Sequence, residues 1–86
     1  MALQKGYAIN LSGGYHHATV KSGGGFCVYP DISMTIFHLK KMHHLKKFMI
    51  IDLDAHQGNG HERDFIDNKD VHIIDVYNYQ IYPCKS

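Results

Sequence analysis

Asp52, Asp54 and His56 close a run of apolar residues at strict two-residue spacing. Alternate side chains of an extended segment point to the same side, so these three polar groups converge where the strand ends. In open parallel sheets, ligands bind at that end of a strand. Carboxylate oxygens and imidazole nitrogens suit zinc or a similar divalent ion. The spacing, followed by the turn Gln57–Gly60, therefore favours a binding site over an incidental polar strand end.

A second candidate group is the histidine pair His16–His17, which follows Gly13 and Gly14. Histidine is the usual general acid or base near neutral pH. If a strand precedes the pair and neighbours the strand that ends at Asp52, both groups face one pocket. A nearby carboxylate would then hold a histidine tautomer and raise its basicity. Taken alone, the pair is more often two surface histidines than a site.

Strands and helices that alternate along the chain would position these residues. From Ile32 onward, apolar residues recur at three- and four-residue spacing, which predicts a helix capped by Asp31 or Ser33. A shorter helix is expected at residues 59–66. Short apolar runs predict three strands, at residues 7–11, 48–53 and 71–76. This alternation indicates an α/β fold with a parallel sheet and right-handed crossovers.

The length of this chain, 86 residues, allows one small domain at most. A formal net charge of +1 without a basic stripe gives no reason to expect direct nucleic-acid binding. No run approaches the roughly 18 apolar residues that a membrane span requires. Three strands would leave sheet edges open, which suggests a piece of a larger fold.

Cys27 and Cys84 lie far apart in the sequence and form no CxxC pair. Neither a disulfide framework nor a cysteine-type zinc site is therefore expected. Both are interpreted as small buried or partly buried residues. A reducing setting, in the nucleus or the cytoplasm, is the default expectation.

Three motifs, in this order and spacing, resemble the zinc-dependent histone deacetylase family. They are Gly13-Gly14-Tyr15-His16-His17-Ala18, Gly25-Phe26-Cys27 and Asp52-Leu53-Asp54-Ala55-His56-Gln57-Gly58-Asn59-Gly60. The stretch from Ile51 to Phe65 is most similar to the class IV members, which are histone deacetylase 11-like. The resemblance implies that residues 1–86 are part of a catalytic domain with a three-layer α/β/α sandwich of the arginase/deacetylase type. The N- and C-terminal parts of that domain would lie outside the chain.

The resemblance also implies roles for the residues singled out above. Asp54 and His56 match two of the three zinc ligands. His17 matches the general acid–base residue, and His16 matches a mainly electrostatic partner. Asp52 matches the carboxylate that accepts a hydrogen bond from His16 and helps to hold a structural potassium ion. The expected activity is zinc-dependent hydrolysis of the amide of acylated lysine in a histone or another protein.

Further positions follow from the same resemblance. Asn59 stands where many relatives carry an aspartate partner to the general acid–base histidine. An amide does not offset imidazolium charge, so that histidine is expected to be less basic here. Gly25 and Phe26 match the wall of the channel that admits the acyl-lysine. Asp75 and Val76, with the backbone carbonyls of Asp54 and His56, match the rest of the potassium site. Corepressor complexes are candidate partners.

Two family features have no counterpart in these 86 residues. They are the third zinc ligand, an aspartate on a later strand, and the tyrosine that stabilises the oxyanion, which belongs to a Gly-Gly-Tyr motif later in the family's domain and distinct from Gly13-Gly14-Tyr15. Loss of one oxyanion donor commonly costs about 10²–10³ in rate, and two protein ligands rarely hold catalytic zinc. A truncated fragment that is inactive alone is therefore expected.

Two alternatives remain beside this reading. A non-catalytic truncated product or interaction module would also lack the missing ligand and tyrosine. The two-manganese ureohydrolases share the fold but need Asp-Ala-His-x-Asp, and here Gly58 occupies the position of the last carboxylate. The ureohydrolase reading is therefore disfavoured.

The other histidines and the tyrosines near the C-terminus are expected to have ordinary structural roles. His61 is expected on the surface or supporting the site, rather than as a ligand. His72 is expected to be hydrogen-bonded within its strand, and Tyr82 to pack with its neighbours. The remaining histidines are expected to be solvated at a lysine-rich helix end, at His38, His43 and His44.

Overall fold

A computed structural model of the chain describes residues 1–83, in which helices and strands alternate after a short N-terminal turn. The elements are α1 at Ala2–Lys5, α2 at Asp31–His43, β1 at Phe48–Asp52, α3 at Asn59–Asp64 and β2 at Val71–Asp75. None of the described helices is both long and apolar enough to cross a membrane. Cys27 is a buried free thiol, and Cys84 lies outside the described residues.

The strands β1 and β2 form a parallel pair, with Phe48 opposite Val71 and Asp52 opposite Asp75. Parallel strands need a crossover connection, and α3 lies within it. The predicted α/β fold with a parallel sheet is therefore confirmed. Because both strands run the same way, their carboxyl ends lie at one edge of the sheet, where the acidic residues are adjacent.

The strand predicted at residues 7–11 is wrong. This segment has no regular structure, and its apolar side chains are exposed, with Ile9 at 80% and Leu11 at 97%. A strand needs a neighbouring ladder to satisfy its backbone groups, and residues 1–83 pair only β1 with β2. The described sheet therefore has two strands rather than about three.

Helix α2 is confirmed, although its predicted side-chain cap is wrong. The residue at the N-cap position is Pro30, and no side chain caps the helix. Asp31 instead accepts hydrogen bonds from the preceding loop, which draws its carboxylate away from the helix end. Helix α3 is two residues shorter than predicted, because the chain leaves the helix at Phe65 and turns there.

The hydrophobic core lies between the two longer helices and one face of the sheet. Its buried members are Ile36, Phe65 and Val71, and Phe48, Ile50 and Ile73 pack against them. The opposite face of the sheet is exposed. Residues 1–83 thus form two layers of the expected three-layer sandwich.

We expect Phe65→Ala to lower the free energy of unfolding by about 3 kcal/mol, because it removes a buried ring from this small core. Phe65 is 3% exposed, and its ring centroid lies 5.3 Å from that of Phe37. Ile66→Ala is the matched control, since Ile66 is 79% exposed and should change stability by less than about 0.5 kcal/mol. Urea unfolding of both variants measures the difference, and equal losses would contradict the core assignment.

Candidate active site

The histidine pair and the carboxyl end of β1 meet at one cleft. The cleft has a volume of about 600 Å³. Its lining includes the four polar side chains of interest, His16, His17, Asp54 and His56. The geometric condition on which the hydrolase reading depends is therefore met in the structure.

The loop that carries the histidine pair is held from two helices. At the start of α2, the Asp31 carboxylate accepts the backbone N–H groups of Gly14 at 2.6 Å and Tyr15 at 2.8 Å. At the start of α3, the N–H of Gly60 donates to the carbonyl of His16 at 2.8 Å. These bonds place the pair over the end of β1 without a strand before it.

Asp52 is the central anion of the site, at the last position of β1. Its Oδ2 accepts hydrogen bonds from Nδ1 of His16 and Nε2 of His61, each at 2.8 Å. Its Oδ1 accepts the backbone N–H of Asp54 at 3.1 Å. Burial raises the pKa of this carboxyl, but the three hydrogen bonds outweigh burial and hold the pKa below its usual range.

His17 is buried and lies beside His16, with ring centroids 4.1 Å apart. Its Nδ1 is 2.7 Å from Oδ1 of Asn59. A carbonyl oxygen only accepts, so Nδ1 of His17 carries the proton and Nε2 keeps a lone pair. The structure thus brings Asn59 to the position expected for the partner of His17.

Asp54 and His56 lie at the open side of the cleft, each about half exposed at its side chain. Asp54 Oδ1 and His56 Nδ1 are 3.1 Å apart, close to the separation of two ligands around a tetrahedral zinc. The His56 backbone N–H donates to the same Oδ1 at 2.8 Å and holds the pKa of Asp54 below its usual range. This pair fits zinc as an incomplete ligand set.

The aromatic wall of the cleft contains Phe26, as predicted for the channel, and also Tyr82. Phe26 is fully exposed at φ +67. Gly25 adopts φ +49, and a Cβ there would press on the His17 ring and on Tyr82, so the wall approaches the histidine only because this position is glycine.

Tyr82 is a cleft residue that the sequence did not reveal. Packing among its neighbours was the prediction, but its ring is perpendicular to that of His17 at 4.9 Å and is 48% exposed. An aromatic residue before a proline is ordinary in a loop. Only the return of the chain after β2 brings this ring to the cleft.

The residues assigned to potassium are adjacent at the ends of the two strands. Asp52 and Asp75 are paired in register, and the N–H of Val76 donates to the Asp52 carbonyl at 3.0 Å. Oδ2 of Asp75 accepts the N–H of Gly58 at 2.8 Å. Within residues 1–83, Oδ1 of Asp75 is buried without a hydrogen-bond partner. Carboxylate and carbonyl oxygens of the kind at this edge are the ligands that a hard cation takes, and the potassium assignment stays a prediction.

Glu62, on α3, is a partly buried carboxyl beside Asp75. Its Oε1 accepts a hydrogen bond from Nε2 of Gln57 at 3.0 Å. Burial, and then the adjacent Asp75 carboxyl, raise the pKa of Glu62 from 4.5 to about 7. Between these values the folded state keeps a proton that the unfolded chain releases, so stability falls as the pH rises through this window.

Glu62→Gln removes this titration while keeping an acceptor for Gln57. We expect the parent to lose about 1–3 kcal/mol of unfolding free energy between roughly pH 4.5 and pH 8 relative to the variant. Urea unfolding across that range measures the two curves. Asp67→Asn, at an exposed turn position, is the control. Parallel curves for parent and Glu62→Gln would contradict the shift.

His61 is not on the surface but supports the site from within, which is one of the two locations expected for it. It is 1% exposed and donates to the same oxygen of Asp52 as His16 does. The donor atoms of His16, Asp52 and His61 all lie within 4.8 Å of one another. The two contacts of 2.8 Å are hydrogen bonds, so hydrogen bonding to Asp52 accounts for the cluster.

The α/β scaffold thus brings a histidine pair, carboxylates and a zinc-compatible pair together at the carboxyl ends of its parallel strands. Residues 1–86 match the histone deacetylase domain, and the chain belongs to the histone deacetylase family.

The curated relatives come from plants, bacteria and animals. The chain is 52% identical over 83 residues to Histone deacetylase 2 of Arabidopsis thaliana, which covers 96% of this chain and 21% of that protein. Acetoin utilization protein AcuC of Bacillus subtilis is 36% identical over 77 residues, 90% of this chain and 20% of that protein. Histone deacetylase 1 of Homo sapiens is 35% identical over 79 residues, which are 92% of this chain and 16% of that protein. The chain thus spans about a fifth of the length of these relatives.

Proposed function

We propose that this chain carries the proton-transfer half of the active site of a zinc-dependent lysine deacylase. The observation that carries the proposal is that His16 and His17 line one cleft with the Asp54–His56 pair. Relatives that are named histone deacetylases support an acyl-lysine amide as the substrate, in a histone or another protein. On its own, the 86-residue chain is proposed to be inactive.

Asp54 and His56 are the residues proposed to hold zinc. When bound, zinc lowers the pKa of its water to about 7 and polarises the substrate carbonyl. A catalytic site of this kind takes three protein ligands, and the family's third ligand has no match in this sequence. The oxyanion tyrosine of the family has no match in this sequence.

His17 is proposed as the general acid–base residue. Its Nδ1–H donates to Asn59 at 2.7 Å, so the lone pair on Nε2 can accept the proton of the attacking water and later return it to the lysine amine. Asn59 holds the tautomer, but its amide offsets less imidazolium charge than a carboxylate would.

His16 is proposed to have a mainly electrostatic role beside His17. It donates from Nδ1 to the ionised Asp52, and this bond keeps the ring in one orientation beside His17.

The resemblance of residues 51–65 to class IV supports assignment to that class, which makes long fatty acyl chains as plausible a substrate as acetyl.

The cleft suits the alkyl stem of an acylated lysine, because Phe26 and Tyr82 offer apolar surface beside the polar groups. A structural potassium ion at Asp52, Asp75 and Val76 is proposed from the family resemblance, and the adjacent ends of the two strands support it. Location in the nucleus or cytoplasm, and binding to corepressor complexes, are proposed from the family resemblance.

A second candidate is a non-catalytic product or interaction module derived from such an enzyme. Its support is the short span relative to the relatives, together with the sheet face that residues 1–83 leave exposed. The two candidates differ in whether the longest open reading frame that contains this chain supplies the third ligand and the tyrosine.

We expect the 86-residue chain to bind zinc more weakly than micromolar, because only two ligands are in register. Competition with a chromophoric chelator measures the affinity, with His43→Ala as the control at an exposed histidine. Asp54→Ala and His56→Ala should remove the residual binding. Sub-micromolar affinity that survives both substitutions would show that zinc binds elsewhere.

In the full-length protein, we expect His17→Ala to abolish amide hydrolysis while zinc content stays unchanged, because it removes the proton carrier and no zinc ligand. Assays with acetyl-lysine and myristoyl-lysine peptides measure turnover, and metal analysis measures zinc. His43→Ala should retain normal turnover. Near-normal turnover of His17→Ala would refute the acid–base assignment, and an inactive parent protein would favour the non-catalytic candidate.

A further inference from the structure

A third histidine, His61, is built into the site without facing the cleft. It is 1% exposed in the first turn of α3, and its Nε2 lies 2.8 Å from Oδ2 of Asp52. The carboxylate is ionised and therefore only accepts, so Nε2 of His61 carries the proton. Nδ1 of His61 is buried and has no hydrogen-bond partner among residues 1–83. The single polar contact of this ring is directed at Asp52.

Space for the contact is provided by Gly58, the residue before α3. A Cβ at position 58 would collide with both Nε2 of His61 and Oδ2 of Asp52. The hydrogen bond thus requires the absence of a side chain at this position. The backbone at Gly58 therefore allows the imidazole and the carboxylate to approach each other closely.

The first turn of α3 serves both histidines of the pair. Asn59 accepts the Nδ1–H of His17 directly. Two residues later, His61 contacts Asp52, which in turn accepts the Nδ1–H of His16. One helical turn therefore contacts His17 directly through the Asn59 amide, and it contacts His16 indirectly through the Asp52 carboxylate.

We propose that His61 is a positioning residue for His16, acting through the Asp52 carboxylate; this inference rests on the function proposed above. A carboxylate with few donors can rotate about its last bond. Here Oδ1 is held by the Asp54 amide, and Oδ2 by both imidazoles. Removing His61 frees Oδ2 to turn, so Nδ1 of His16 loses its fixed acceptor and the ring loses a single tautomer and orientation.

Activity of the full-length protein gives the first test. We expect His61→Leu to lower kcat about 10- to 100-fold with KM nearly unchanged, since His61 does not line the cleft. His61→Gln, whose amide N–H reaches the position of Nε2, should restore kcat to within about threefold of the parent. His38→Leu, at an exposed histidine on α2, is the control and should be neutral.

The tautomer of His16 gives a readout that is independent of turnover. Long-range ¹H–¹⁵N spectra of the ¹⁵N-histidine-labelled parent should show the Nδ1–H form of His16 and the Nε2–H form of His61. In His61→Leu, the His16 signals should shift toward a mixture of tautomers. Gly58→Ala should produce the same change with His61 still present.

The outcomes separate this inference from the proposed function. An inactive parent counts against the deacylase, and the spectra then decide the role of His61 alone. If His61→Leu does not fold, the pair His61→Gln and His61→Asn decides, because the asparagine amide is too short to reach Asp52. Equal kcat values and equal His16 spectra in that pair would overturn the proposal. So would a kcat for folded His61→Leu within about twofold of the parent together with an unchanged His16 tautomer.

Discussion

The buried carboxylate of Asp52 is the interaction on which the rest of the site depends. A buried charge is costly unless donors surround it, and three come from separate segments: His16, His61 and the amide of Asp54. The charge therefore ties the histidine loop, α3 and the end of β1 to one point. Charge-assisted hydrogen bonds are stronger than neutral ones, so a small core can still hold a defined polar site.

The site is asymmetric in what it contains. On the histidine side, each histidine of the pair is hydrogen-bonded through Nδ1 to an acceptor from a different element, Asp52 or Asn59. The side that would hold metal has only Asp54 and His56, about half exposed. Bound metal would replace the Asp54–His56 contact, whereas the histidine contacts form from this chain alone.

The two-layer fold explains this asymmetry. The two parallel strands place their carboxyl ends at one edge, and the helix that precedes each strand begins close to the histidine loop at that edge. Helix α2 thereby supplies Asp31 to the histidine loop, and α3 supplies Asn59 and His61. The other face of the sheet is uncovered among residues 1–83, and the chain spans about a fifth of the length of its relatives.

Local sequence determined the features that depend on local geometry: α2, both parallel strands and the alternation of Asp52, Asp54 and His56 follow from side-chain periodicity. A strand at residues 7–11 was wrong because pairing depends on a neighbour that periodicity does not reveal. The roles of Tyr82 and His61 also required tertiary structure. Their contacts with His17 and Asp52 join segments that the chain brings together only after it turns. The spacing of residues in the sequence indicates which face of a helix or strand a side chain lies on. The packing of distant segments decides which other side chains contact it.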